Sequence, residues 1–232
     1  MLRHFGDRWA AYRSRVEALN SKHAEELDYW QRRKAEEGTL HGSWYQYFYT
    51  EHFGLEVEDY AGLRVLDIGC GPRGSLDWAD NTAERIGLDP LADEYRKLRP
   101  EGYRMEMIAS GSENIPCADG HFDVVASFNS LDHVDDLDKT VSEIKRVIRP
   151  GGHFLLLTDV NHKATLCEPI EFGWEIAQAF TDVLEIVEER RFEKPEPNMY
   201  QSVRSNILYD MDDKTYRYGI ASVKFRKQLQ PG

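Results

Sequence analysis

From Leu63 onward, short runs that are apolar nearly throughout alternate with longer mixed stretches. The runs at 63–68, 84–88, 103–108, 122–127 and 152–158 read as strands covered on both faces, since a strand with one wet face would alternate apolar and polar positions. Between them, 74–80, 91–98 and 136–148 read as helices. Such alternation predicts an α/β domain around a mostly parallel sheet. Pro150-Gly151-Gly152 predicts a turn between the helix ending near Ile148 and the next strand. Before residue 60 the period changes. Trp9, Tyr12, Val16 and Leu19, then Ala24, Leu27, Tyr29 and Trp30, recur at helical intervals among charged residues. They predict two amphipathic helices, 7–20 and 21–37, the second stopped by Gly38. A third is expected from Gly42-Ser43 to about Phe53, ended by Gly54. In the last third, 169–180 reads as helix, 183–191 and 216–226 as alternating strands, and 194–198 as a loop. With no internal repeat and no long linker, residues 1–60 read as a helical cap on the domain formed by 61–232.

Composition narrows the class. The chain has 232 residues, room for one large domain with an elaboration. Charged residues are 30% and hydrophobic ones 41%, ordinary for a soluble globular protein. No run approaches the roughly 18 apolar residues of a membrane helix. The N-terminus lacks the apolar core of a signal peptide. Cys70, Cys117 and Cys167 are widely spaced, with no metal-like pairing, which fits a reducing cytoplasm and predicts no metal site. Net charge is −12 with no basic stripe, which argues against a nucleic-acid partner. The expectation is a cytoplasmic monomer or homodimer that acts on a small molecule, with neither membrane nor nucleic acid as partner.

The chemistry concentrates at Val65-Leu66-Asp67-Ile68-Gly69-Cys70-Gly71. A buried strand that stops at glycines lets the backbone approach a ligand at the carboxyl edge of a sheet. Roughly 20 residues later, Gly87-Leu88-Asp89-Pro90 places an acid where it can accept hydrogen bonds from ribose hydroxyls. Gly69, Gly71 and Gly74 satisfy the G-x-G-x-x-G spacing of dinucleotide sites. However, Pro72 follows the second glycine, and the Asp67 carboxylate would repel a pyrophosphate while suiting an ammonium or hydroxyls.

Downstream come Ser112-Glu113-Asn114-Ile115-Pro116, Asp119-Gly120-His121-Phe122-Asp123-Val124-Val125, and 137–149 running into Pro150-Gly151-Gly152. In this order and spacing, over about residues 60–160, the chain resembles the class I S-adenosylmethionine-dependent methyltransferases. The resemblance implies a Rossmann-like methyltransferase fold: a mostly parallel seven-stranded sheet, helices on both faces and an N-terminal helical cap. It also implies S-adenosyl-L-methionine as cofactor and S-adenosyl-L-homocysteine as product. By the same resemblance, Asp67, Gly69, Cys70 and Gly71 would cradle the methionine portion, and Asp89 with Pro90 would hold the ribose. Ser112 and Glu113 would lie beside the adenine, and Asn129 and Ser130 would face the sulfonium region. Gly111 departs from the family pattern, which usually has an acid there.

Acceptor residues are read from what remains. His133 follows the fourth strand and is either a general base, since a histidine titrates near neutral pH, or a tie between loop and helix. His162, in the loop after the fifth strand, is the second catalytic candidate. Asn161, Thr165 and Glu168 in that loop are candidates for binding an acceptor, against the plainer reading of a helix-entry loop. Tyr45 and Tyr49, within the aromatic cluster 44–49, either close over the ligands or pack the cap. The reading is methyl transfer to a small molecule through an oxygen or nitrogen nucleophile, such as a sugar or other polar metabolite. Two alternatives stand beside it: a nicotinamide-dependent oxidoreductase, and a non-catalytic regulatory protein that binds the cofactor.

Overall fold

The computed structural model describes residues 2–229, with side chains from Ser14 onward except Arg15. Trp9 and Tyr12 therefore lie outside the described side chains. The two expected N-terminal helices are one, α1 (Leu2–Glu37), 36 residues long. The polar pair Asn20-Ser21 does not break it, because Ser21 Oγ donates back to the Glu17 carbonyl at 2.9 Å. Gly38, in the left-handed region, ends it. The third expected helix is only the single turn α2 (Gln46–Tyr49), flanked by 3₁₀ turns Ser43–Tyr45 and Glu51–Phe53. Thr50 interrupts it with a non-helical backbone, its hydroxyl bonded to the Gln46 carbonyl.

The alternating region forms β1 (Arg64–Ile68), β2 (Glu84–Leu88), α3 (Ala92–Leu98), β3 (Glu106–Ile108), β4 (Phe122–Phe128), α4 (Leu137–Val147) and β5 (Ile148–Val160). The expected helix at 74–80 is a set of turns after a 3₁₀ turn, Gly71–Arg73, that carries Pro72. Strand β3 starts later than expected, since the Arg104 and Met105 amides donate to Asp77 Oδ1 rather than to a ladder. The turn at 150–152 lies within β5 as an irregularity: Phe122 pairs with Ile148, but Val124 pairs with His153. In the expected helix 169–180, only the 3₁₀ stretch Trp174–Phe180 is helical. Strand β6 (Leu184–Glu193) is followed by α5 (Met199–Ser205), which the sequence pattern does not announce, and by β7 (Gly219–Lys227). Asn198 caps α5 by accepting from the Gln201 amide.

The seven strands form one sheet in the order β3-β2-β1-β4-β5-β7-β6. The first five are parallel, and β7 runs antiparallel to both neighbours. Successive residues of β1 enter opposite layers. Leu66 packs with Val141 and Ile144 of α4 on one face, and Val65 with Tyr95 of α3 and Val203 of α5 on the other. Phe48, Tyr49 and Phe53 are fully buried in that second layer. The chain leaves β1 for β2 on one side and returns to β4 on the other, so the order reverses between β1 and β4. That reversal opens a crevice at their carboxyl ends, where open α/β sheets bind ligands. Among the described residues, no helix is long and apolar enough to cross a membrane.

Candidate functional site

The end of β1 is built for close approach. Gly69 has φ +68, and a Cβ there would stand 2.2 Å from Ser130 Cβ, so only glycine fits. Ser130 Oγ donates to the Ile68 carbonyl at 2.7 Å and lies 2.8 Å from Ser127 Oγ, locking the ends of β1 and β4 together. Asn129, beside it, takes a positive φ of 55. Over this edge lie two cavities. The smaller, 260 Å³, is ringed by Gly69, Asp89, Pro90, the 110–113 segment, Asn129 and His133, and is roofed by Lys22, His23 and Glu26 of α1. The larger, 670 Å³, has an aromatic side with Trp30, Trp44, Tyr45, Phe128 and Tyr200, and a charged side with Glu26, Asp159, Glu168 and Lys194. Glu26, Gly69, Asn129 and His133 line both, so the cavities meet there.

Asp89 is buried at the base of the smaller cavity and accepts from the Gly71 amide at 3.2 Å and the Leu91 amide at 2.9 Å. Those two bonds leave lone pairs for ribose hydroxyls. Burial, then the negative charge of Glu26, pushes its pKa up to about 7. The Ser112 hydroxyl is 2.9 Å from Thr140 Oγ1. The Glu113 carboxylate already accepts from the Asp135 amide at 2.7 Å, so it anchors the entry to α4 as well as lining the cavity. Helix α1 is fastened over this cavity by Lys22, which pairs with Asp135 at 2.9 Å and donates to the His133 carbonyl.

The structure places several of the sequence-predicted residues away from the cavity surfaces. Asp67 lines neither cavity: it is buried beneath the turn, accepts from the Ser75 hydroxyl, and is pushed up to about 7 by burial. Cys70 borders the larger cavity, its thiol facing Met107 Sδ at 3.8 Å in the core. Tyr49 is fully buried against Trp78 and Phe128. Asn161 lines neither cavity, its positive φ shaping the loop after β5 while its amide donates to the Phe172 carbonyl. Thr165 also lines neither and instead positions Glu168, whose amide donates to Thr165 Oγ1 at 3.0 Å. His162 is buried behind the cavity wall, its Nε2 3.5 Å from Asp132 Oδ2.

Gly69, Gly71, Asn129, His133, Tyr45 and Glu168 do line the larger cavity. His133 lies 3.8 Å from Glu26 and 3.9 Å from Glu168. Burial opposes a charge on its ring, but the Glu26, Asp132 and Glu168 carboxylates outweigh it and push its pKa up to about 9. A ring that holds its proton at neutral pH donates hydrogen bonds rather than acting as a base.

Lys22, Glu26, Trp30, Asp159, Lys194 and Tyr200 also line the cavities, and the sequence pattern does not mark them. Arg73 forms a two-pronged pair with Glu37 and lies over the Trp30 ring at 5.4 Å. Tyr200, on the unannounced α5, donates to the Phe128 carbonyl at 3.1 Å and packs edge-on to Tyr45.

Residues 66–156 match the family model described as a methyltransferase domain. The malonyl-[acyl-carrier protein] O-methyltransferase of Methylococcus capsulatus is 31% identical over 168 residues, 69% of this chain and 58% of that protein. The sterol 4-C-methyltransferase of Caenorhabditis elegans is 33% identical over 113 residues, 45% of this chain and 34% of its own. The chain spans between a third and a half of the first such relatives' lengths. Among solved structures, geranyl diphosphate C-methyltransferase from Streptomyces coelicolor, with S-adenosyl-L-homocysteine bound, superposes with a TM-score of 0.55 at 17% identity, covering 74% of this chain and 76% of that one. A [4+2]-cyclase has the same fold, with a TM-score of 0.55 at 19% identity, 75% of this chain and 78% of that one. With the motif order, the sheet order and the family match in agreement, the chain carries a class I S-adenosylmethionine-dependent methyltransferase domain, and S-adenosyl-L-methionine is that family's cofactor.

Proposed function

We propose that this protein transfers the methyl group of S-adenosyl-L-methionine to a small polar metabolite through an oxygen or nitrogen nucleophile. The observation that carries the reading is the junction of the two cavities at Gly69, Asn129, His133 and Glu26. The smaller cavity fits the cofactor's nucleoside end. Asp89 would accept the ribose hydroxyls, Ser110 and Ser112 line the base end, and the Gly69–Gly71 backbone approaches the methionine end.

The bound cofactor supplies an already activated methyl on a sulfonium, so what the protein must add is alignment and exclusion of water. Helix α1 excludes water by roofing the smaller cavity, with Glu26 as a negative charge near a cationic ligand. The larger cavity presents an aromatic wall to the body of an acceptor, and His133, Glu168 and Lys194 to its polar groups. Proton removal from the nucleophile falls to the Glu168 carboxylate, with the His133 ring donating beside it.

The relatives act on lipids, acyl carriers and sterols as their names state, but the charged side of this cavity favours a more polar acceptor. A radiolabelled methyl donor incubated with fractionated metabolite pools tests the reading, and label should pass to a small polar product. Cofactor binding without transfer to any pool would favour the regulatory alternative.

A further inference from the structure

Asp132, His133 and Glu168 meet where the turn after β4 packs against the loop after β5, and His162 lies behind Asp132. Asp132 is 1% exposed, and neither carboxylate oxygen has a hydrogen-bond partner among the described residues. His162 is 5% exposed, and its Nε2, also without a partner, lies 3.5 Å from Asp132 Oδ2. His133 Nε2, likewise unpartnered, lies 3.9 Å from Asp132 Oδ1 and 3.9 Å from Glu168 Oε1. The nearest ligand atoms of Asp132, His133 and Glu168 all fall within 4.8 Å of one another.

A buried polar atom left unpaired costs about 1–3 kcal/mol. Gathering several in one place is therefore unfavourable unless something binds them together. The separations are too long for direct hydrogen bonds. Two donors held tetrahedrally at about 2.1 Å from a metal stand about 3.4 Å apart, so a shared ion would draw this set slightly together. The outer edges of both imidazoles strengthen the case. His162 Nδ1 is 3.2 Å from the Lys163 carbonyl, and His133 Nδ1 is 3.8 Å from Glu26 Oε2. A carbonyl or carboxylate behind an imidazole fixes its tautomer and orientation. Thr165 similarly holds Glu168.

We propose that Asp132, His133 and Glu168 form a binding site for a divalent transition-metal ion, Zn²⁺ first, with His162 positioning Asp132 from behind. An imidazole with two carboxylates suits that class once the ion displaces the His133 ring proton, whereas Mg²⁺ and Ca²⁺ take oxygen ligands. The ion ties the turn after β4 to the loop after β5. It also stands in the wall of the larger cavity, because His133 and Glu168 face that cavity. An acceptor hydroxyl reaching the ion would ionise more readily. That last consequence alone rests on the methyl-transfer reading; the site itself does not.

The test is titration of the metal-stripped full chain with Zn²⁺ by calorimetry and with Co²⁺ by absorption. The expected result is one ion per chain at micromolar affinity or tighter, with no thiolate charge-transfer band. Asp132→Asn should weaken Zn²⁺ by about 100-fold or more, and His162→Gln, at the residue that orients Asp132, by about 10-fold. Glu168→Gln, at a more exposed position, should weaken it too, and serves if the buried variants misfold. Cys167→Ser should leave Zn²⁺ affinity unchanged. Absence of stoichiometric binding, equal affinity in all three site variants, or loss only with Cys167→Ser would overturn the site. S-adenosyl-L-homocysteine titrated into the same preparations reports folding and the cofactor reading separately, so failure of one is distinguishable from failure of the other.

Discussion

Two buried carboxyls set the site's pH behaviour. Asp89 and Asp67 are both pushed up to about 7, chiefly by burial. Each holds its proton in the folded chain well above the pH of about 4 at which it ionises when unfolded. Folding therefore binds protons in this range, and stability should fall as pH rises from about 4 to about 7. Cofactor binding should run the other way, because ribose hydroxyls donate to an ionised Asp89. Affinity for S-adenosyl-L-homocysteine is expected to rise by up to about tenfold per pH unit between about pH 5.5 and 6.5, levelling above about pH 7.5. Calorimetry across pH checks this, and Asp89→Asn should weaken binding and flatten the profile. At Gly69 the constraint is steric. Gly69→Ala drives a methyl into Ser130 and strains a positive φ, so it should reduce cofactor affinity by about 100-fold and lower the melting temperature. Unchanged affinity would mean that the turn does not approach the ligand.

Among the elements, those with a strong local signature match their expectations. Strands β1, β2 and β4 and helix α4 lie where their apolar runs and periodicity put them, since both sheet faces are covered. The stretch 74–80 shows what a local pattern cannot resolve. Leu76 and Ala79 are buried at helix-like spacing, yet the backbone turns, because Asp77 is engaged by the Arg104 and Met105 amides and by Arg99. Helix α1 raises the same difficulty for function: Lys22 and Glu26 have the sequence pattern of a solvated charged face, and only packing turns them onto the site. Lys22→Ala leaves the His133 carbonyl and Asp135 without this partner, which should cost about 1–3 kcal/mol of stability. It should also loosen the roof over the cofactor. Hydrogen exchange should quicken in α1 around residues 19–26, and S-adenosyl-L-homocysteine affinity should fall. Unaltered exchange there would remove α1 as the roof.

At the scale of the molecule, the two halves of the site were legible to different degrees for a topological reason. The proposed cofactor side comes from the ends of β1, β2 and β4 and the 110–113 segment, contiguous motifs whose spacing the sheet fixes. The proposed acceptor side is assembled from Trp30 of α1, Tyr45 beside α2, Asp159 of β5, Glu168, Lys194 and Tyr200, positions that only the folded chain brings together. The same fold also occurs in a [4+2]-cyclase, so the architecture by itself does not decide the reaction.

The central claim is that the crevice between β1 and β4 holds S-adenosylmethionine rather than a dinucleotide. Calorimetric titration of the chain with S-adenosyl-L-homocysteine and, in parallel, with NAD tests it most directly. Expected is one S-adenosyl-L-homocysteine per chain at well below millimolar concentration, with no heat from NAD. Saturable binding of NAD, or no binding of S-adenosyl-L-homocysteine up to millimolar concentration, would contradict it.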